Sequence, residues 1–413
     1  MKNILLALGM LVLSSAVAAG PADDVLADLK ETAASGSYYW CWTQPWLPSR
    51  EFHYGDARYA VEKEGKLVPG PIEQVVFDGP ETSLTKVRCR FFLDEMARMT
   101  GTWKTDAYYA SNRASQAAII RRAWKDFRGV CVFTWHNDNP CCTNGFKRGP
   151  LRFRCRAHPN VFRGIVRGEK WPCGRETAKR GVYRKPFESP RAWFLHELAD
   201  IADFLSTLVD DEGRRIPVVL RYPHEMDGGW FWWGKGHCEP EDYVGVCRLM
   251  ADELRARGAA GQVLFAYTPD KRWPEMGKEG DNQNNYLSWY PGDAYVDIVG
   301  FDDYSIGFGA TAAECDQRNG ETLRKMRALT RFADERGKVA VISETGWANV
   351  SWSRHPAQDD FYTRLNRLMT ADGVKFAAVA TWHTHRTIPD TEAGRADMLA
   401  FAKLPNVKLI RRK

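Results

Sequence analysis

Two absences from this sequence narrow the class of protein. The 413 residues contain no apolar run of membrane-spanning length and 27% of them are charged, so we expect a globular protein without a membrane span. The nucleotide-binding motifs G-x-G-x-x-G and G-x-x-x-x-G-K-[ST] are also missing. The sequence therefore lacks the phosphate-binding turn that a doubly wound nucleotide-binding sheet would need. It also shows no internal repeat and no low-complexity linker.

The ten cysteines lack the spacing of a zinc site. No C-x-x-C pair recurs, and no paired histidines follow at ligand distance. Five of the cysteines fall between Cys131 and Cys173. In an exported chain, cysteines at this density predict disulfides, although the sequence does not determine their pairing.

Residues 1–19 are typical of a secretory signal peptide. Lys2 precedes an apolar segment over residues 4–13, and Ala16-Val17-Ala18 has the small residues of a cleavage site. We therefore expect a secreted protein, extracellular or periplasmic, whose mature chain begins at residue 20. We also expect a monomer.

The net charge of +6 arises largely from a local excess of basic residues over 146–184. These residues lie in a cysteine-rich basic insertion near 141–184. Contact with an acidic polymer or a membrane surface is one interpretation, and a solvated surface loop is the one we favour. A charge excess confined to one loop of an exported chain does not predict nucleic-acid binding.

Short β-rich runs alternate with helical patterns along the whole chain. Several of the runs are continuously apolar, which suits parallel strands that are covered on both faces. Eight such strands predict a (β/α)₈ TIM barrel of the α/β class, with a doubly wound sheet as the alternative. The predicted strands are 37–43, 102–110, 129–136, 215–223, 262–270, 295–304, 338–346 and 376–385.

Two glutamates stand at the ends of predicted strands. In a parallel barrel the chemistry lies at the carboxyl ends of the strands. Glu225 follows the fourth run, and Glu344 lies at the end of the seventh. Carboxyl groups about 5 to 5.5 Å apart suit retaining glycoside hydrolysis, in which one stays protonated and the other ionised. We predict Glu225 as the acid/base and Glu344 as the nucleophile. Either glutamate alone would more readily be a salt-bridged barrel residue, but the pair favours catalysis.

The segment LRYPHEMDGGWFWWG, residues 220–234, sets Glu225 beside four successive aromatic side chains. Rings that desolvate a carboxyl group favour its neutral acid form, and flat ring faces suit the C–H faces of a sugar. Core packing is the structural alternative for the rings at 230–233. Four rings in a row cannot all point inward, so at least one should line a cleft. Tyr304 is either a core tyrosine or a hydrogen-bond donor to the nucleophile.

The sequence resembles glycoside hydrolase family 26, whose best-known members are β-mannanases. The similarity rests on HEMDGGWFWWG (224–234), WYPGDAYVDIVGFDDY (289–304), ISETG (342–346) and WHNDNP (135–140), in the family's order. It implies a single (β/α)₈ catalytic domain over residues 20–413 and a retaining double-displacement mechanism. It also implies no cofactor and no metal, and as substrate a β-1,4-linked mannan, galactomannan or glucomannan.

The resemblance also implies roles for individual residues. It places the acid/base on Glu225 and the nucleophile on Glu344, with Tyr304 donating a hydrogen bond to Glu344 and Asp302 supporting the site. Four residues would contact the sugar: His136, His224, Trp230 on the leaving-group side and Trp382 on the non-reducing side.

Two features depart from the family pattern. Asp227 stands where that pattern has asparagine, which puts a local hydrogen bond in doubt. The insertion near 141–184 looks longer than the family needs, and it follows the third strand onto the expected active-site rim. There it would close one end of the cleft and favour the release of short products from chain ends.

Other functions remain open from the sequence. β-1,3-Xylan or mixed-linkage β-glucan would fit the same fold and mechanism. A metal-dependent hydrolase would have to assemble His136, His224, His383 and His385, and no partnered carboxylate motif accompanies them. A non-catalytic glycan-binding protein would explain the aromatic residues but not the two glutamates.

Overall fold

The computed structural model describes residues 20–43, 60–63, 66–69, 87–100, 106–141, 160–172, 187–281, 283–309, 311–347, 359–382, 387, 389 and 391–411. The strands are β1 (Tyr38–Thr43), β2 (Ala60–Lys63), β3 (Lys66–Pro69), β4 (Val87–Arg88), β5 (Phe91–Glu95), β6 (Val130–Thr134), β7 (Val218–Arg221), β8 (Val263–Tyr267), β9 (Ile298–Asp302), β10 (Val339–Thr345), β11 (Phe376–Thr381), β12 (Val407–Lys408) and β13 (Ile410–Arg411). The α-helices are α1 (Pro21–Ala34), α2 (Asp106–Phe127), α3 (Val161–Arg167), α4 (Pro190–Ser206), α5 (Pro240–Leu254), α6 (Ala312–Arg336), α7 (Phe361–Met369) and α8 (Glu392–Phe401).

Eight parallel strands close into a barrel. The strands β1 and β5 to β11 pair in sequence order, and β1 also pairs with β11, which closes the ring. The two-residue strand β12 adds to the start of β1, while β2 with β3 and β4 with β13 form small antiparallel pairs outside the barrel. The (β/α)₈ prediction is therefore confirmed.

The barrel strands are apolar because they are covered on both faces. Every residue of β7, β9, β10 and β11 is buried, so no alternation of polar and apolar residues develops along them. Polar residues appear where the strands end. The last residues of β7, β9, β10 and β11 are Arg221, Asp302, Thr345 and Thr381, which puts polar groups on one rim of the barrel.

The helix α5 has the boundaries that its sequence indicates. Pro240 is its first residue, and Glu241 and Asp242 lie in its first turn, where acidic groups favour the helix dipole. A short π-helical turn follows over Arg255–Ala259, and Gly258 there adopts φ +90°, a left-handed conformation that suits glycine. The helix α4 likewise starts at Pro190, after the N-cap Ser189.

The prediction for the second strand was wrong. Residues 106–110 begin the helix α2, and the second barrel strand is β5, which lies outside all eight predicted strands. The run Phe91-Phe92-Leu93 is apolar and buried, which suits a barrel strand. The buried residues of α2 recur at helical spacing instead, at Tyr109, Gln116, Ala117, Ile120, Ala123 and Trp124.

The disulfide prediction was wrong for six of the ten cysteines. Free thiols are found at Cys41, Cys89, Cys131, Cys238, Cys247 and Cys315, and all six side chains are buried. In this setting cysteine packs as a small apolar residue. Cys141 is disulfide-bonded, as predicted. The remaining three cysteines lie outside the described residues, and their pairing stays a prediction.

Several predictions lie outside the described residues. They concern the signal peptide at 1–19, most of the insertion near 141–184, and the histidines at 383 and 385. Within the part of the chain that the structure describes, none of the helices is both long enough and apolar enough to cross a membrane.

The close approach of β9 and β10 gives a test of the barrel packing. A Cβ at Gly300 would lie 2.7 Å from the Val341 carbonyl oxygen, so Gly300→Ala should destabilise the fold by about 1–3 kcal/mol through overpacking. Gly320 is exposed inside α6 with open space around it, so Gly320→Ala should stabilise by about 0.5–1 kcal/mol. Urea unfolding of both variants measures the two changes, and equal effects would contradict this packing.

Candidate active site

Three carboxyl groups meet at the carboxyl-terminal rim of the barrel. Asp302 ends β9, Glu344 lies near the end of β10, and Glu225 follows β7. One carboxylate oxygen from each lies within 4.8 Å of the other two. All three residues are buried, with 8%, 0% and 5% of the surface of Glu225, Asp302 and Glu344 exposed. The structure thus brings the two predicted catalytic glutamates together.

Arg221 compensates the charge of this cluster. Its guanidinium donates to Glu344 Oε1 at 2.6 Å and to Asp302 Oδ2, and its Nε donates to Thr268 Oγ1 at 2.7 Å. Burial opposes the charge of Arg221, but Asp302 and Glu344 outweigh that cost and raise its pKa. Arg221 therefore stays charged and ties the ends of β7, β9 and β10 together.

Both oxygens of Glu344 accept hydrogen bonds from side chains. Arg221 binds Oε1, and the Tyr304 hydroxyl donates to Oε2 at 2.6 Å. Donors on both oxygens fix the orientation of the carboxyl group at the rim. Asp302 accepts in turn from the Ser343 hydroxyl at 2.6 Å, so the residue before Glu344 is fixed as well.

Glu225 has the surroundings of a carboxylic acid that retains its proton. Burial raises its pKa, and the nearby charge of Glu344 adds to this shift, while Arg221 and the Trp230 indole oppose it. The Trp230 Nε1–H donates to Glu225 Oε2 at 2.7 Å. Glu225 also adopts φ +50°, a left-handed conformation that costs energy in a residue with a side chain. The fold holds this residue in a strained position at the rim.

The four aromatic residues after Glu225 have separate tasks. Trp233 donates to the His224 carbonyl oxygen at 2.8 Å, and Trp232 donates to the Asn137 carbonyl oxygen at 2.7 Å. Phe231 stacks on Trp233 with ring centroids 4.4 Å apart. These three are buried, whereas Trp230 is half-buried and faces the carboxyl group. One ring of the four thus reaches the site, and the others hold the loop.

His136 is paired with a glutamate that the sequence reasoning missed. Its Nδ1 lies 2.6 Å from Glu95 Oε2, and Glu95 Oε1 accepts its backbone N–H at 2.8 Å. Burial alone would lower the pKa of His136, but the charge and hydrogen bond of Glu95 outweigh it and raise the pKa above its usual value. His136 can therefore carry positive charge beside the carboxyl cluster.

His224 is buried and neutral. Burial lowers its pKa well below the usual value, and the charges of Arg221 and His136 lower it further. Its ring packs edge-on against Phe231 and His136, with centroids 5.0 and 4.8 Å apart. Its Nδ1 has no hydrogen-bond partner among the described residues, so a polar group remains available near the cleft.

Trp382 lies at the same rim, beyond β11. Its backbone N–H donates to the Thr345 carbonyl oxygen at 2.9 Å, and its ring centroid is 6.2 Å from that of His136. All eight predicted site residues are therefore at the carboxyl end of the barrel: His136, His224, Glu225, Trp230, Asp302, Tyr304, Glu344 and Trp382.

Two residues of the site carried a sequence signal that was not used. Arg221 and Glu95 are each the last residue of an apolar strand, the same signal that identified the catalytic pair. The strand that ends at Glu95 was not predicted. The partners of Arg221 come from β9 and β10 and are not recognisable from the sequence alone.

Among the described residues, these three carboxylates lie close enough to one another to hold a metal cation. Arg221 already supplies positive charge to two of them at hydrogen-bond distance. The donor set therefore fits proton transfer and nucleophilic attack better than metal ligation.

The closed parallel barrel, with two buried glutamates at its carboxyl rim in unlike surroundings, is the arrangement of a barrel glycoside hydrolase. Comparison with known families agrees. Residues 184–374 match the model described as Glycosyl hydrolase family 26. Over these residues, which are less than half of the chain, the sequence is similar to glycoside hydrolase family 26.

Two curated proteins are similar in sequence to parts of the chain. A mannan endo-1,4-beta-mannosidase from Bifidobacterium adolescentis is 28% identical over 193 residues, which are 46% of this chain and 18% of that protein. Endoglucanase H from Acetivibrio thermocellus is 34% identical over 95 residues, 22% of this chain and 10% of that protein. The chain thus spans less than a fifth of the length of these curated relatives.

A solved structure supports the fold over almost the whole chain. The modular endo-beta-1,4-mannanase from Cellulomonas fimi superposes with a TM-score of 0.66 at 23% identity, covering 95% of this chain and 76% of that one. At this identity the likeness shows the barrel fold.

Removing Arg221 tests the charge balance. Arg221→Met should lower the free energy of unfolding by about 3–5 kcal/mol at neutral pH, because it leaves buried carboxylates unpaired. Arg214 pairs with Asp210 and Glu212 on the surface with its side chain 61% exposed, so Arg214→Met should cost only about 0–1 kcal/mol. Denaturant unfolding compares the two, and equal losses would contradict the role of Arg221.

Proposed function

We propose that the protein is a secreted retaining glycoside hydrolase that cleaves β-1,4-mannosidic linkages in mannan, galactomannan or glucomannan. The observation that carries this proposal is the proximity of the Glu225 and Glu344 carboxylate oxygens, within 4.8 Å across one rim. Retaining enzymes hold their two carboxyl groups about 5–5.5 Å apart, whereas inverting enzymes need about 6.5–9.5 Å to admit a water molecule. The mannanase names of its relatives support the choice of substrate.

In the first step, Glu344 attacks the anomeric carbon and Glu225 protonates the leaving oxygen. Arg221 and Tyr304 hold both oxygens of Glu344, which fixes the direction of the nucleophile. The raised pKa of Glu225 keeps a proton available near neutral pH. The product of this step is a glycosyl ester on Glu344, with the leaving sugar released.

In the second step, Glu225 acts as a base. Having given up its proton, it removes one from a water molecule, which attacks the anomeric carbon and releases Glu344. Formation of the ester removes the negative charge of Glu344, so less charge opposes ionisation of Glu225 at that stage. The two carboxyl groups thus assist each other in turn.

The rings and histidines around the pair supply the sugar contacts in this proposal. Trp230 on the leaving-group side and Trp382 on the opposite side offer apolar faces near the reacting centre. His136, positioned by Glu95, and His224 supply polar atoms for sugar hydroxyl groups. A hydroxyl group that fails to match a buried polar atom costs about 1–3 kcal/mol, which is sufficient for sugar selectivity.

A β-glucan is the second candidate substrate. The match to Endoglucanase H over 95 residues favours it, since the same barrel and glutamate pair would serve either polymer. Mixed-linkage β-glucan and β-1,3-xylan therefore belong in the test panel beside the mannans.

Substitution of the two glutamates tests the mechanism. Glu225→Ala should lower turnover of mannan by about 10²–10⁴-fold, yet affect an aryl mannoside with an acidic phenol leaving group much less, because that group needs no proton. Glu344→Ala should abolish turnover of both substrates. Glu212→Ala, a change at an exposed surface glutamate, is the control. Unchanged turnover by Glu344→Ala would show that this is not the nucleophile.

A substrate panel tests the specificity. The protein is incubated with mannan, galactomannan, glucomannan, β-1,3-xylan and mixed-linkage β-glucan, and the products are separated by size. We expect mannans to be cut fastest, with retention of anomeric configuration by NMR. Short products from the beginning would support closure of one cleft end by the insertion near 141–184, and random mid-chain cuts would refute that closure.

Secretion is part of the same proposal, since a polysaccharide too large to cross a membrane has to be cleaved outside the cell. The features of residues 1–19 support it. N-terminal sequencing of exported protein should find residue 20 at the start, and an uncleaved N-terminus would contradict the assignment.

A further inference from the structure

Gly228 leaves room for the Trp230 ring beside the acid/base residue. It is buried, and its backbone N–H donates to the Glu225 carbonyl oxygen at 3.1 Å, which closes a tight turn after Glu225. A Cβ at position 228 would lie 2.3, 2.4 and 2.5 Å from three carbon atoms at the outer edge of the Trp230 ring. Non-bonded carbon atoms prefer a separation of about 3.5–4.0 Å. Only glycine therefore fits here while the ring stays in place.

The Trp230 ring is held in this place by three other contacts. Its Nε1–H donates to Glu225 Oε2 at 2.7 Å. The guanidinium carbon of Arg272 lies over the ring, 4.9 Å from its centroid, and Arg272 is itself paired with Asp270 at 3.3 Å. Phe231 packs edge-on against the ring, with centroids 6.2 Å apart. A shift of the ring would disturb all three contacts, including the hydrogen bond to the carboxyl group.

The backbone of the turn has no room to move instead. The Gly228 carbonyl oxygen lies against Gly234, where an added Cβ would be 2.3 Å from it. The Lys235 backbone N–H donates to the Met226 carbonyl oxygen at 2.7 Å and so closes the loop around this contact. A side chain at position 228 would therefore displace the ring rather than the backbone.

From these contacts we propose that Gly228 is a positioning residue, whose missing side chain lets the Trp230 indole reach and hold the Glu225 carboxyl group. The inference rests on the proposed role of Glu225 as acid/base. The indole hydrogen bond fixes the direction of the carboxyl group, on which proton transfer depends. Burial raises the pKa of Glu225, and the Trp230 hydrogen bond is among the contacts that oppose this rise. It thus favours the ionised form that acts as the base in the second step.

The kinetics of Gly228→Ala give the first test. Displacement of the ring should lower kcat/KM for mannan by about 10²-fold, since a misplacement of about 1 Å can cost this much. An aryl mannoside with an acidic phenol leaving group should be affected much less, because that group needs no proton. The basic limb of kcat/KM for mannan should move to higher pH, because Glu225 loses a hydrogen bond that favours its ionised form. A general loss of structure would lower both activities alike and leave the limb in place.

Gly229→Ala is the matched control. A Cβ there would meet only the Lys235 carbonyl oxygen, at an ordinary contact distance of 3.6 Å. Neither glycine of this pair adopts a left-handed conformation, so the backbone at both positions accepts alanine. The activities and the basic limb of Gly229→Ala should match those of the wild type. Equal effects of the two substitutions would overturn the proposal.

The indole N–H of Trp230 gives a second test, which needs no activity. With ¹⁵N-labelled tryptophan, its NMR resonance is identified by its absence from Trp230→Phe. In the wild type this resonance should shift with pH as Glu225 titrates, and Glu225→Gln should abolish the shift. Gly228→Ala should abolish it as well, whereas Gly229→Ala should retain it. No titration in the wild type, or equal titration in the two glycine variants, would overturn the proposal.

A double-mutant cycle shows whether Gly228 acts through the ring. Trp230→Phe removes the three ring carbons that an added Cβ would meet. Gly228→Ala should therefore lower the melting temperature by several degrees in the wild type but hardly at all in the Trp230→Phe background. An equal loss in both backgrounds would overturn the proposal. If no glycan is hydrolysed, the proposed function fails, and this cycle and the NMR titration still decide whether Gly228 positions the indole.

Discussion

The buried guanidinium of Arg221 is the contact on which the site depends. It extends from the end of β7 to Asp302 on β9 and Glu344 on β10, and so links three strands at the rim. Three carboxyl groups with oxygens within 4.8 Å of one another would repel one another strongly if all three were ionised. The Arg221 guanidinium binds Asp302 and Glu344, so these two carboxyl groups have different surroundings from Glu225. Glu344 then has strong donors on both oxygens, while Glu225 accepts the indole N–H of Trp230 and lies in apolar surroundings.

The backbone and the aromatic residues also set the surroundings of Glu225 apart from those of Glu344. Glu225 is held at φ +50° by a loop whose rings donate to carbonyl oxygens on either side of the site. Burial raises the pKa of Glu225. The packing of the loop therefore supports a strained backbone at the residue whose carboxyl group is buried. Asp227 continues this pattern outward, since the loop that carries Glu225 buries a second carboxyl group against Asp270.

The sequence predicted most strands because parallel barrel strands are apolar along their whole length. Seven of the eight predicted strands overlap observed barrel strands. The failure at 102–110 has a local cause: two adjacent tyrosines look like a strand, whereas their burial follows helical spacing in α2. The error also concealed Glu95, since a residue at the end of an unrecognised strand carries no signal. The cysteines misled for another reason, because a buried thiol in a strand is indistinguishable by composition from one that forms a disulfide.

The barrel class and the two glutamates can be read from the sequence, because both follow from local order along the chain: an apolar run, a polar end and a helix. How the strand ends interact depends on their packing in three dimensions. Arg221 binds residues 81 and 123 positions away, and Glu95 binds His136, which follows the neighbouring strand β6. The charge balance of a buried cluster depends on distances between strands, and the sequence pattern does not show those distances.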